Sequence, residues 1–317
     1  MPTIFTYSSR PTPTATRRLS HADLTILTEL NTYHYLSATQ LCKLLSKKGK
    51  LLGTLSTTQT RLKHLWRREY IQRERLPTLG YDGLGPYVYS LHTKGRNTLK
   101  AVGQAVIARF RPRESRTHGL FFLPHTLPVN DVLIAAALLA RQYPDLVRLD
   151  GILHERDLRR KLAVPGLGEF AGKRVSIEPD GWLDIALPTQ GVRSPLLLEL
   201  DRATERRQAW KEKVRRLALL VSPDASGTSP YECFFGRGAF TVAVVTLASQ
   251  TRRISLQQWT AEALHELNKP HLAQHFLFTN QNPATLTPTA FYGQPHWYAA
   301  TVNMSPEALL LSGRVGQ

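Results

Sequence analysis

The sequence predicts an α+β protein in two domains: three short helices closed by a hairpin, then a mixed domain ordered helix, three strands, helix, strand. Three observations predict it. Apolar residues recur first at helical spacing and then at alternate positions before residue 105; a run of strands broken by one helix fills residues 147–247; and charge divides sharply between the two parts. Residues 1–116 hold 20 Lys+Arg against 6 Asp+Glu, and residues 117–317 hold 21 against 18, so +14 of the formal +17 belongs to the N-terminal third. Such a field draws phosphate backbones, with an affinity that falls steeply with salt as counterions are released. An acidic protein or an anionic membrane are the alternatives, and no long amphipathic basic helix supports the membrane.

Composition excludes several classes. A chain of 317 residues with 20 Gly, 20 Pro and 42% hydrophobic content buries a core, unlike disordered, collagenous or small disulfide-stapled chains. The longest uninterrupted apolar run, Val132 to Ala140, is nine residues, against roughly 18 for a membrane span. The first ten residues lack an apolar signal region, and Cys42 and Cys233 lie far apart, so residence in a reducing cytoplasm is the expectation.

After a Pro/Thr-rich leader over 1–19, Ser20 is placed to cap a helix carrying Leu24, Leu27 and Leu30. Ser37 caps a second, with Leu41, Leu44 and Leu45 on one face, ended by Lys47-Lys48-Gly49-Lys50. Ser56 opens a third, in which Leu62, Leu65 and Trp66 form the buried stripe and Thr57, Thr58, Gln59, Arg61, Lys63, His64, Arg67 and Arg68 occupy other faces. Short donors at the start and cations further along suit a reader of the major groove, where base edges and phosphates both need donors. Tyr70 to Leu76, including Arg73 and Arg75, alternates as a strand; a turn rich in Pro and Gly follows; Tyr87 to Leu91 returns. Thr93 then caps a closing helix, Lys94 to about Val102. This order predicts a winged helix-turn-helix over 20–108 that binds double-stranded DNA through residues 57–68 and the 70–91 wing, with Arg73 and Arg75 among the contacts. Winged helices also dock proteins, and a charged helix face is often only solvated.

Arg109 to Arg116, with four arginines and Pro112, reads as a basic linker, and the second domain as 117–280. Residues 128–143 form a helix apolar almost all round, hence buried, with Asn130 and Asp131 at its N-terminal end, where a carboxylate complements the helix dipole. Strands follow at Val147–Glu155, Gly181–Leu187 and Pro195–Asp201, then a helix from about Thr204 to Val221 and a strand at Phe240–Leu247. That order is the common core of the restriction-endonuclease-like α/β fold.

In Leu196-Leu197-Leu198-Glu199-Leu200-Asp201, the two-residue period sets Leu197, Glu199 and Asp201 on one face. Asp180, in Pro179-Asp180-Gly181, joins them if the two strands pair. Three converging carboxylates repel unless protons or a cation offset them, and Mg2+ with oxygen ligands is the natural cation, able to activate water for phosphodiester hydrolysis. Two plainer readings stand beside this one: Pro-Asp-Gly is an ordinary turn, and Arg202, Arg206 or Arg207 are near enough in sequence to pair with Glu199 and Asp201. A helix beyond Thr251 and a strand at Phe276–Phe278 close the domain; from Asn280 the pattern is uninformative, and 281–317 reads as an extension in which Trp297 and Tyr298 pack on the domain or meet a partner.

Four segments together resemble the replication-relaxation family of plasmid and mobile-element proteins over roughly residues 20–221: Ser56-x-x-Gln-Thr-Arg-Leu-Lys-His-Leu with Tyr70-Ile71, Pro86 to Leu91 with Lys94-Gly95, His125 to Asp131, and Glu199-Leu-Asp-Arg-x-Thr-Glu205. The resemblance implies a DNA-binding protein acting in replication, relaxation or mobilisation of such an element, with replication or mobilisation proteins as partners. The second domain also looks like the PD-(D/E)XK nuclease superfamily. Pro179-Asp180 supplies its first half and Glu199-Leu200-Asp201 its second, and the implied catalytic set is Asp180, Glu199, Asp201 and a lysine. Asp201 stands where that lysine is expected. Lys213, near the inward stripe of the following helix, is the substitute, unless it only covers apolar surface. His125 is open between a core histidine and a general base. Three outcomes follow: an accessory DNA-binding protein, a Mg2+-dependent endonuclease, or a repressor or adaptor with an inactive second domain. A homodimer would suit paired half-sites.

Overall fold

The computed structural model describes residues 19–45, 54–76, 85–106, 122–155, 157–158, 169–170, 173–174, 179–223, 227–301 and 305–310. The chain divides into two compact units, Met1–Leu127 and Pro128–Gln317. The leader up to residue 18, the Lys47–Lys50 helix end, the tip of the hairpin and the expected linker 109–116 lie outside the described residues.

In the first unit, helix α1 (His21–Tyr33) and helix α2 (Ala38–Leu44) each open on a capping box, Ser20 with Asp23 and Ser37 with Gln40. Each box satisfies two backbone donors that a helix start otherwise leaves unpaired. Helix α3 (Leu55–Arg67) starts earlier than its sequence suggested, capped by Thr54 rather than Ser56. Strands β1 (Leu36–Ser37), β2 (Ile71–Arg75) and β3 (Tyr87–Leu91) form an antiparallel sheet in the order β1-β3-β2. Helix α4 (Thr93–Ala101) begins one residue before the expected start, with His92 at the cap position and no side-chain cap bond, so Thr93 is helical rather than capping. Gly95 is required there, because a Cβ would lie 2.2 Å from the Tyr70 carbonyl oxygen. Ile26, Leu27, Leu30, Leu41, Leu62 and Leu65 are buried together as the core, each stabilising by roughly 1.5–3 kcal/mol.

Helix α5 (Leu123–Gln142) carries the boundary between the units and starts five residues before the expected position. Pro128, the residue at which the sequence placed the helix start, stands inside the helix, so Asn130 and Asp131 are not at its N-terminal end. By length and composition α5 is apolar enough to cross a membrane, but 61% of its most apolar window is buried inside the protein, as in a core helix.

The second unit is built on a six-stranded mixed sheet in the order β11-β10-β9-β8-β7-β4. Strands β4 (Arg148–His154), β7 (Gly181–Leu187) and β8 (Val192–Asp201) form an antiparallel meander. A separate two-stranded hairpin, β5 (Glu169–Phe170) and β6 (Lys173–Arg174), interrupts it in sequence. Helix α6 (Arg207–Val221) and the short α7 (Pro230–Phe235) lead to β9 (Thr241–Thr246), parallel to β8. Helix α8 (Gln250–Glu266), β10 (Phe276–Thr279), α9 (Pro288–Gly293) and β11 (Tyr298–Ala299) complete the unit. Every residue of β7 and β9 is buried, as the near-continuous apolar character of such strands requires when both faces are covered. Trp210, Val214, Leu217, Leu256 and Leu264 from α6 and α8 join Leu197 and Val242 of the sheet in one core. Buried indole N–H groups are satisfied, Trp210 by Thr260 Oγ1 at 2.9 Å, Trp182 by the Tyr231 hydroxyl at 3.1 Å and Trp297 by the Phe291 carbonyl at 3.0 Å.

Candidate functional site

Helix α3 buries Thr58, Leu62 and Leu65, and this i, i+4, i+7 stripe decides what the rest of the helix presents. Thr57, Gln59, Lys63, His64 and Arg67 are exposed, while Arg61 and Arg68 are half-buried. Thr58 departs from the outward placement its sequence suggested: it is 3% exposed, and its hydroxyl donates back to the Thr54 carbonyl at 3.2 Å. Arg61 leans on α1, donating to Ser20 Oγ at 3.1 Å and lying 3.4 Å from the Asp23 carboxylate. Ser56, Thr57, Thr60 and Arg61 line an open cleft of about 350 Å3 at the start of the helix. Lys63 and Arg67, with His64 between them, thus form the outward basic edge of α3.

The hairpin cations are placed differently. The Arg73 guanidinium lies 3.4 Å over the Trp66 ring and 4.4 Å over Tyr87, a sandwich joining β2, β3 and the end of α3. Arg75 lies 4.6 Å over Tyr87 and donates to its hydroxyl at 2.9 Å. Cross-strand register explains the ladder, since Arg73 faces Tyr89 and Arg75 faces Tyr87. Lys94 reaches the Arg68 carbonyl at 3.1 Å, satisfying the end of α3.

In the second unit, Gly181 pairs with Leu198, which brings Asp180 beside Glu199. Asp180 Oδ2 accepts the Leu200 N–H at 2.7 Å. Glu199 is 1% exposed, and Lys213 Nζ on α6 donates to its Oε2 at 3.1 Å and to Glu205 Oε1 at 2.6 Å. Burial pushes the Glu199 carboxyl up to about 8 against the attraction of Lys213, with the Asp180 charge adding to the rise. Burial works to lower Lys213, but Glu199, Asp180 and Glu205 outweigh it and hold the ammonium above its ordinary range. Asp201, at the end of β8, receives a fork from Arg252: Nη2 to Oδ1 at 2.7 Å and Nε to Oδ2 at 3.0 Å, with Thr246 Oγ1 at 2.8 Å. Burial opposes its charge, and the bonds from Arg252 and Thr246 overcome that, so its carboxyl titrates below its usual value. Ala203 follows with φ 60, in the left-handed region that costs a side-chain-bearing residue, and its N–H also serves Asp201.

Asp180, Glu199 and Lys213 are therefore neighbours, whereas Asp201 is drawn to α8. Its partner is Arg252, and not Arg202, Arg206 or Arg207, which the sequence placed nearest. Arg252 and Thr246 were missed because pairing with Asp201 across about 50 residues leaves no local spacing signal, and Glu205, quoted only within a resembling segment, meets Lys213 eight residues on. Among the described residues no group of three or more His, Cys, Asp and Glu side chains is disposed to hold a metal ion. The residues as placed do not fit the Mg2+ expected from the sequence, since Asp201 and Glu199 each give oxygens to an internal cation.

The replication-relaxation family model matches residues 27–228, more than half of the chain, and the chain belongs to this family. No curated protein and no solved structure matches it.

Proposed function

We propose that the protein binds duplex DNA through its first unit, as a cytoplasmic accessory factor in the replication or relaxation of a plasmid or other mobile element. The carrying observation is the exposed face of α3. Thr57 and Gln59 stand near its start and Lys63, His64 and Arg67 follow, on a helix whose opposite stripe is buried. We read helices α1 to α3 with the β2–β3 hairpin as a winged helix, the arrangement that lays such a helix in the major groove. The concentration of +14 in residues 1–116 supports the same reading. Arg73 then holds the wing against Trp66 of α3 while Arg75 stays on Tyr87 within the hairpin, and contact to DNA rests on α3. Replication or mobilisation proteins are the partners such a factor would serve, and a homodimer would match paired half-sites.

Fluorescence anisotropy with labelled duplexes tests the proposal. A base contact by Gln59 predicts that Gln59→Ala lowers affinity for the preferred sequence by about 1–3 kcal/mol and leaves random duplex unaffected. Lys63→Ala and Arg67→Ala would weaken all duplexes alike. Unaltered binding by all three variants would remove α3 as the reading element.

A further inference from the structure

We infer that the second unit is complete without a divalent cation, and that Arg252 is the residue that closes its carboxylate cluster to metal. A Mg2+ ion needs near-octahedral oxygen ligands at about 2.0–2.1 Å, so the carboxylates that hold it must turn free lone pairs toward one point. Here each of the three carboxylates gives at least one oxygen to a donor of the protein itself. Asp201 gives Oδ1 and Oδ2 to the fork of Arg252, and Oδ2 also accepts from Thr246. Glu199 Oε2 faces Lys213, which Glu205 holds from the other side. Asp180 Oδ2 is occupied by the Leu200 N–H.

The source of the closing guanidinium matters. Helix α5, the meander β4-β7-β8, helix α6 and strand β9 complete the helix, three strands, helix, strand order without it. Arg252 comes from α8, the element after that set, two residues into the helix capped by Ser249. It is 13% exposed, its partner Asp201 is fully buried, and its Nη2 also donates to the Glu205 carbonyl at 2.8 Å. One side chain therefore ties the end of β8, the loop bearing the left-handed Ala203, and α8. A cation entering at Asp201 would have to break that fork and leave a guanidinium in a mostly buried place, a cost that disfavours exchange. Lys213 plays the matching part at Glu199.

The test is Mn2+ titrated into the full chain, followed by calorimetry and by the melting temperature against an EDTA control. It does not involve DNA, so its outcome is separate from that of the DNA-binding proposal. The wild type is expected to give no saturable heat and no change in melting temperature. Arg252→Gln is expected to gain a saturable, Mn2+-dependent rise in melting temperature, which adding Asp201→Asn abolishes. A site loaded a hundredfold above its Kd raises the midpoint by roughly 5–10 °C, so the contrast is readable. A saturable shift in the wild type that Glu199→Gln removes would overturn the inference whether or not the Arg252 variant folds. An Arg252→Gln protein that folds and ignores Mn2+ would overturn the role given to Arg252.

Discussion

Helix α3 and the cluster around β8 both set cations among polar groups, but they differ in where the opposite charge lies. Lys63, His64 and Arg67 face outward from α3, and its buried stripe keeps them there. Lys213 and Arg252 face inward, each paired with a carboxylate that is almost completely buried. The same residue types thus do two jobs. An outward cation keeps its full attraction for phosphate and releases counterions on binding. An inward one holds strands and helices in register, and its N–H groups are taken up by internal oxygens before any ligand arrives.

The largest expected effect of breaking this contrast lies in the second unit. Arg252→Ala leaves Asp201 buried without its fork, and removing one partner of a buried pair costs about 3–5 kcal/mol. Urea unfolding should show the midpoint falling accordingly; a loss under about 1 kcal/mol would mean the fork contributes little.

Glu199 adds a pH signature. Its carboxyl is raised to about 8 from an ordinary 4.5, so the folded state binds more protons than the unfolded state between those values. Its contribution to stability is present at pH 4.5 and is lost as pH rises toward 8. Urea midpoints taken from about pH 5.5 to 8 should fall in the wild type, and Glu199→Gln should flatten the trend. A wild-type midpoint rising over that range would mean that the pull of Lys213 outweighs burial.

Arg73 sharpens the comparison from within the first unit, because it is a cation held by the protein in the more basic half. Its loss from between Trp66 and Tyr87 should cost roughly 1–2 kcal/mol and alter Trp66 fluorescence. The salt dependence of DNA affinity should hold steady in Arg73→Ala. A fall in that dependence with no loss of stability would make Arg73 a phosphate contact.

Much of this was readable from local pattern. The capping boxes at Ser20 and Ser37, the β2 and β3 strands, and the alternation that puts Glu199 and Asp201 on one face are all short-range features. The burial of Thr58 was readable too, since it stands four residues before Leu62 and seven before Leu65. Thr54, Ser56, Thr57 and Thr58 lie close together at the start of α3, and only packing selects Thr54 as the cap. The start of α5 was hidden by Pro128, which local preference assigns to a first turn. Arg252 was hidden for a different reason: α8 reaches the end of β8 only through a parallel crossover. Strand β10 was readable at Phe276–Phe278, whereas β11, within the uninformative stretch after Asn280, is defined by the sheet it joins.

The central claim is that cations on α3 are available to phosphate and those around β8 are not. The most direct test is the slope of log affinity against log salt for duplex binding by the wild type, Lys63→Ala/Arg67→Ala and Lys213→Gln. The account predicts a slope reduced by about 0.9 for each phosphate that α3 no longer neutralises, and a wild-type slope in Lys213→Gln. A slope that holds in the α3 variant and drops in Lys213→Gln would contradict it.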